Sequence, residues 1–162
     1  MTWPAGQQNG LHIYREMKAL ETPFTPLPYV LAPTTAQYFV FPWSTQGYTD
    51  GRFSLSMTAS AGGVFALTAQ GVDSDGGNGL LAYDLVAAAI PVVAGVNILE
   101  LAWDDGVWPG NWQLDNAGVY TSGSMTLNPV WSKNFAAIKF NMTNNSVAAN
   151  ITIVDFNLAL RG

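Results

Sequence analysis

Apolar and polar positions alternate through much of this chain, and the longest such stretch closes it, from Phe135 to Leu160. Ile138, Phe140 and Met142 alternate with Lys139, Asn141 and Thr143. A period of two puts the first set on one face of a β-strand and the second on the other. Asn144-Asn145-Ser146 then breaks the pattern with turn chemistry, because Asn tolerates positive φ and Ser can bond its own backbone. A return strand from Val147 to Leu160 makes the stretch a closing hairpin. Within it Ile151 and Ile153 alternate with Asn150 and Thr152, after which the apolar set becomes Val154, Phe156, Leu158 and Leu160. The parity switch at Ile153-Val154 implies a β-bulge or a segment covered on both faces.

The same reading applied upstream gives a series of short strands. Tyr38 to Phe41 is aromatic and β-branched and stops at Pro42. Phe53, Leu55 and Met57 alternate with Arg52, Ser54, Ser56 and Thr58 as a half-buried strand. Ala61-Gly62-Gly63 turns into a strand over Val64–Gln70, and glycine-rich Asp73–Gly79 turns into one over Leu80–Val86. Ala87–Ala89 could be briefly helical, but Pro91 and the flanking valines favour extended chain. Val96–Trp103 carries Leu99, Leu101 and Trp103 on one face and Ile98 on the other. Asp104–Ala117 reads as a long loop and Val119–Leu127 as a polar edge strand, ended by Asn128-Pro129. About eight strands at short spacing, with no long helix and no repeat, make an all-β protein: an antiparallel β-sandwich, in particular a jelly roll. An immunoglobulin-like sandwich is the alternative.

Residues 1–36 differ from the domain at 37–162. Pro4, Pro23, Pro26, Pro28 and Pro33 are five of the nine prolines. Proline fixes φ and lacks the N–H donor, so this segment is no central strand. It reads as an extended arm lying over the domain or reaching a neighbour. Within it Leu11–Leu20 fits a first strand or one short helix.

Composition narrows the role. Charged residues make up only 10%, against roughly 25% in ordinary soluble domains. A surface so poor in charge gives little electrostatic resistance to association. The formal net charge is -5, and no basic residue lies between Arg52 and Lys133. No basic stripe is available for phosphates or an anionic membrane surface, so neither nucleic acid nor membrane is an expected partner. Cysteine is absent, which removes disulfides and thiolate metal sites. Met1-Thr2-Trp3-Pro4 has no secretory pattern. Leu85–Val96, interrupted by Pro91 and Gly95, is too short to span a bilayer.

Two resemblances follow. Trp131, Ile138-Lys139-Phe140 and Ile153-Val154-Asp155-Phe156 resemble the close of galactose-binding-like jelly rolls, which end in a Trp-led strand, a turn and a strand of the form apolar-Asp-apolar. The lack of cysteine, the Gly, Thr, Asn and Ala content and the leading arm resemble bacteriophage virion decoration or cement proteins. The second likeness implies a trimer on a capsid.

The candidate chemistry is sparse. The single histidine, His12, lies in the arm, so no Ser-His-Asp triad is expected in the domain. Glu100, between Leu99 and Leu101, reads as a solvent-face acid or the partner of a Lys or Arg rather than half of a glycosidase pair. Gly76-Gly77-Asn78-Gly79 lacks the helix and Lys of a phosphate loop. Asp73 and Asp75 alternate in a flexible turn with Asp84 beyond, which suits Ca²⁺ only weakly, because no bidentate Glu closes the set. The galactose-binding-like resemblance adds Asp155 as a conceivable Ca²⁺ ligand. A plain turn is the stronger reading, and neither a metal nor a cofactor is expected. Asn141, Asn144 and Asn150 each head a glycosylation sequon, which chance explains in a chain rich in Asn and Thr.

The aromatic loop Trp103–Trp112 carries the functional expectation. Trp103 belongs to the core by strand parity. Trp108 and Trp112, next to Asp105 and Asn111, have three readings: stacking on a sugar, anchoring a protein interface, or plugging one end of the sandwich. The leading expectation is a non-enzymatic capsid decoration protein of a virion, a homo-oligomer (trimer) whose partner is the major capsid protein. Trp3, Pro4, Tyr14, Phe24, Tyr29, Trp108 and Trp112 are its interface candidates. The alternative is a carbohydrate-binding jelly-roll module of a tail or host-recognition apparatus, using Trp108, Trp112, Asp105 and Asn111.

Overall fold

A computed structural model describes residues 14–18, 27–41, 50–72, 85–103, 111–127 and 137–161. These form twelve strands: β1 (Tyr14–Lys18), β2 (Tyr29–Leu31), β3 (Ala36–Phe41), β4 (Asp50–Ala59), β5 (Gly63–Val72), β6 (Leu85–Val92), β7 (Gly95–Trp103), β8 (Asn111–Asn116), β9 (Val119–Ser124), β10 (Thr126–Leu127), β11 (Ala137–Asn144) and β12 (Ile151–Arg161). There is no helix among the described residues. All pairings are antiparallel. A seven-stranded sheet has the order β1-β12-β4-β7-β8-β9, with β2 also on β12, and a five-stranded sheet has the order β10-β6-β5-β11-β3. The chain is thus an all-β jelly-roll sandwich, as the alternation predicts.

The expected parities hold across the core. Phe53, Leu55 and Met57 are fully buried, as are Ile138, Phe140 and Met142, and Leu99 and Leu101 point inward while Ile98 faces out. The two inner faces meet through aromatic rings. Phe53 stacks on Phe140 at 4.6 Å, and Phe39 meets Phe156 edge-on at 5.2 Å. Each contact joins one sheet to the other. Burying a phenylalanine side chain stabilises by about 1.5–3 kcal/mol, so these rings contribute strongly to holding the layers together.

The parity switch in β12 is a bulge. Ile153 pairs with Met57 and Asp155 with Ser56, which leaves Val154 as the extra residue. Val154 is accordingly 43% exposed, while Ile151, Ile153, Phe156 and Leu158 are all buried. One inserted residue flips the alternation and keeps both halves of the strand facing the core. β6 has a comparable irregularity. Its register against β5 shifts between Phe65 and Leu67, where Ala89 takes φ 56°.

Four expectations need correction. The closing stretch is not a hairpin: β11 lies in the five-stranded sheet and β12 in the seven-stranded one, so residues 145–150 arch between the layers. Asn144, expected in a tight hairpin turn, instead ends β11, is fully buried and fastens that arch. Its Nδ2 donates to the carbonyls of Leu31 and Ala149 at 2.9 and 2.8 Å, and its Oδ1 accepts from Ser146 N at 3.0 Å. The Asp104–Ala117 loop ends earlier than expected, because Asn111–Asn116 is strand β8. The expected strand Val119–Leu127 divides between the sheets as β9 and β10, with β9 at an edge as predicted.

Two pieces of the proline-rich segment are strands of the domain's own sheet. β1 pairs with residues 157–161 of β12, and β2 with residues 151–153. They lie end to end on one side of β12, and the break between them falls opposite the bulge. An edge position suits a segment containing Pro23, Pro26 and Pro28, because an edge strand leaves one row of backbone groups without a ladder partner.

The connections divide by length. Residues 32–35, 60–62, 93–94, 117–118 and 145–150 join strands at one end of the sandwich. Residues 42–49, 73–84, 104–110 and 128–136 link strand ends at the other.

Candidate functional site

The outward positions of the seven-stranded sheet fall into rows fixed by the strand register. Nearest the short turns, Val30, Thr152, Thr58 and Val96 lie side by side. Next come Ser56, Ile98, Asp115 and Tyr120. Then follow Asn157, Ser54, Glu100, Gln113 and Ser122. Arg52 and Ala102 begin the row nearest the long connections, with Asn111 opposite Ser124 further along. The outer face therefore changes from aliphatic and threonine side chains near the short turns to amides, hydroxyls and charges near the long ones.

At the polar end Arg52 Nη2 donates to Glu100 Oε1 at 2.8 Å, with the two side chains 63% and 37% exposed. This is the Lys or Arg partner expected for Glu100. Around the pair lies a depression of about 460 Å³, lined by Arg52, Glu100, Asn111, Gln113 and Ser122 and edged by Trp112. That volume is in the usual range for a small-ligand site, roughly 300–1,000 Å³. The Arg52 bond uses one of a carboxylate's about four lone-pair directions. Beside it, amide groups supply both donors and acceptors, and a serine hydroxyl does the same. The set suits a neutral, hydroxyl-bearing ligand better than an anion, because the one guanidinium is already matched by a carboxylate.

Trp112 does not lie in the loop that its proline- and glycine-rich surroundings implied. It lies in β8, is only 4% exposed and belongs to the core. Its indole covers Gly123, directly opposite on β9, where a Cβ would fall 2.6 Å from Cε2 and 2.8 Å from Nε1. Only the glycine leaves room for the ring. The neighbouring Asn111 is exposed and does reach the depression.

Other expected site residues are placed differently. Tyr29, expected at an interface, turns inward: its ring meets Phe39 edge-on at 6.0 Å and its hydroxyl donates to Gln37 Oε1 at 3.2 Å. Tyr14 stands in β1 opposite Arg161. Asp155 is exposed at the bulge and accepts from Phe156 N at 2.9 Å. No group of three or more His, Cys, Asp or Glu able to hold a metal exists among the described residues. Trp3, Pro4, His12, Phe24, Asp73, Asp75, Asp84, Asp105 and Trp108 lie outside the described residues. Of the sequon asparagines, Asn144 is wholly buried and Asn150 exposed, so at least one sequon is closed to modification in the folded chain.

Arg52, Gln113 and Ser122 were not legible as site residues. Alternation assigns each to an outer face, but Arg52 and Glu100 are 48 positions apart and meet only through the β4–β7 pairing.

Comparison with solved structures places the architecture. Basic winged bean lectin, solved with Tn-antigen, superposes with a TM-score of 0.51 at 6% identity, covering 91% of this chain and 98% of the lectin chain. This is a lectin-like jelly roll. The lectin from Bauhinia forficata, in complex with GalNAc, gives a TM-score of 0.50 at 7% identity and covers 92% of both chains. A carbohydrate esterase from the Shiga toxin-encoding bacteriophage phi24B is a looser match, with a TM-score of 0.43 at 11% identity, covering 92% of this chain and 87% of its own. No protein-family model and no curated protein matches the sequence. The two structures that superpose at a TM-score of 0.50 or above are both lectins.

Proposed function

We propose that this domain binds carbohydrate, without chemical turnover, in the depression around Arg52 and Glu100. The observation that carries the reading is the joining of two features: a lectin-like jelly roll, and a depression on its seven-stranded sheet whose largely apolar lining, with Leu101 and Ala102, carries a few amide, hydroxyl and charged groups. Glu100 accepts from sugar hydroxyls, Asn111 and Gln113 both donate and accept, and Arg52 holds the carboxylate in place through its hydrogen bond. Residues 104–110 connect β7 in sequence to β8, whose first residue, Asn111, lines the depression. We therefore include Trp108 and Asp105 in the proposal, Trp108 as a stacking platform and Asp105 as a further hydroxyl acceptor.

The capsid-cement reading relied on an arm reaching a neighbouring subunit. The two described pieces of that arm pair with β12 of their own domain, and we place the carbohydrate reading ahead of it. A tail or host-recognition apparatus is the setting we propose.

A glycan array followed by titration tests this. Glu100→Gln removes a charge-assisted bond, worth about 1.5–3 kcal/mol, so the Kd should rise about 10- to 100-fold. Stability should change by less than about 1 kcal/mol, because the ion pair is well exposed. Trp108→Ala should likewise abolish binding and leave the domain folded. A blank array would sink the proposal, and so would unchanged affinity in both variants.

A further inference from the structure

We infer that the free edge of β9 is a self-association surface on which a second copy of this chain docks, pairing its own β9 antiparallel across a two-fold axis. This inference is independent of the sugar-binding reading.

β9 is an edge strand among the described residues: all six of its residues, Val119 to Ser124, pair in unbroken register with β8 on one side, and no described strand lies beyond it in the sheet order. Edge strands normally carry charges, prolines or bulges that discourage further pairing. β9 has none of these. The other edges are guarded. β1 contains Arg15, Glu16 and Lys18, β2 is three residues long and follows Pro28, β10 is two residues long, and on β3 Gln37 Nε2 donates to the Tyr38 carbonyl at 3.3 Å.

The strand also displays apolar surface. Val119 is 66% and Tyr120 64% exposed. Val119 and Thr121 point to the same side as buried Leu114, yet stand exposed.

Charge favours a second copy as the occupant. The chain carries a formal net charge of -5, so most faces would bring acids together in a symmetric pair. β8 and β9 together contain one side chain charged at neutral pH, Asp115, and it sits one strand back from the edge. A two-fold axis perpendicular to the sheet requires side chains on the same face to oppose one another. With the axis through Thr121, Thr121 faces its own copy, Tyr120 faces Ser122 and Val119 faces Gly123. Every pair is uncharged, and the small Gly123 and Ser122 leave room for Val119 and Tyr120. Thr–Thr and apolar cross-strand pairs are favourable ones, and an isologous interface repeats each contact twice. The outer faces of the two sheets then form one continuous surface, with the two long-connection ends pointing in opposite directions.

Sedimentation of the full chain tests the assignment, and the absence of cysteine makes a crosslinking arm direct. The wild type should sediment at twice the chain mass. Thr121→Lys opposes two ammonium groups at the axis and should weaken association about tenfold or more, with the circular dichroism unchanged. Thr121→Cys should form a covalent dimer on mild oxidation, because opposed antiparallel residues lie about 4.5–5.5 Å apart at Cα, within disulfide range. That variant carries the test should the lysine one fail to fold. A wild type that stays monomeric at the highest attainable concentration overturns the inference, as does a trimer, or a dimer that Thr121→Cys does not crosslink.

Discussion

Residues 32–35, 60–62, 93–94, 117–118 and 145–150 join strands at one end of the sandwich, and they contain no charged residue. Residues 42–49, 73–84, 104–110 and 128–136 join strands at the other. They hold five of the chain's eleven acids, Asp73, Asp75, Asp84, Asp104 and Asp105, and three of its six tryptophans, Trp43, Trp108 and Trp131. The buried polar side chains follow the opposite distribution. Asn97, Asn144 and Ser146, the buried polar residues among those described, all stand at the short-turn end. Each bonds backbone groups that an arch between layers cannot pair in a ladder. Asn97 accepts from Val93 N at 3.1 Å and donates to the carbonyls of Val93 and Gly95. Ser146 Oγ accepts from Val64 N at 2.9 Å. One end spends its polar groups on its own backbone, and the other carries residues that can be spent on a ligand.

The largest test of this contrast is Asn144→Ala. It strips hydrogen bonds from two carbonyls and one N–H at a wholly buried position. Each unsatisfied buried group costs about 1–3 kcal/mol. We expect a loss of about 3–5 kcal/mol in denaturant unfolding, with sugar affinity per folded molecule unchanged. A loss below about 1 kcal/mol would mean that the short-turn end is not held by its buried amides.

Gly123→Ala probes the opposite end. The new methyl group would drive into the Trp112 indole, and such overpacking costs about 1–3 kcal/mol. Because Trp112 stands in β8 between Asn111 and Gln113, which line the depression, a shift of its ring should lower affinity along with stability. Stability lost with affinity intact would make Trp112 a core residue alone and move the binding surface toward Gln113 and Ser122.

How much of this was legible follows from what alternation encodes. It assigns a face to each strand residue, so Phe53, Leu55, Met57, Phe140 and the bulge at Val154 could all be read locally. It does not say which strand lies alongside. The closing stretch looked like a hairpin because Asn144-Asn145-Ser146 has turn chemistry, and that chemistry serves an arch between sheets equally well. Trp112 was misplaced because the glycines and proline preceding it marked a loop and hid the start of β8. The site was least legible of all. Arg52, Glu100, Gln113 and Ser122 come from four strands, and only the strand order brings them together.

The β8–β9 hairpin was missed for a related reason, and it supplies the smallest test. Its turn residues Ala117 and Gly118 take φ 49° and 88°. Positive φ at both central positions is the two-residue turn whose usual sequence is Asn-Gly. Alanine gives no such signal and is mildly strained there, because its Cβ crowds the following carbonyl. The turn is nonetheless fastened, since Gly118 N donates to Asp115 Oδ1 at 2.8 Å. Ala117→Asn keeps that bond and relieves the backbone, so it should stabilise the domain by about 0.5–1 kcal/mol. Here the short-turn end is held by a carboxylate from the strand in place of an optimal turn residue. If Ala117→Asn destabilised instead, the hairpin would depend on the alanine methyl for packing. If it stabilised the fold while tightening self-association, that would tie the stiffness of the turn to the pairing of β9.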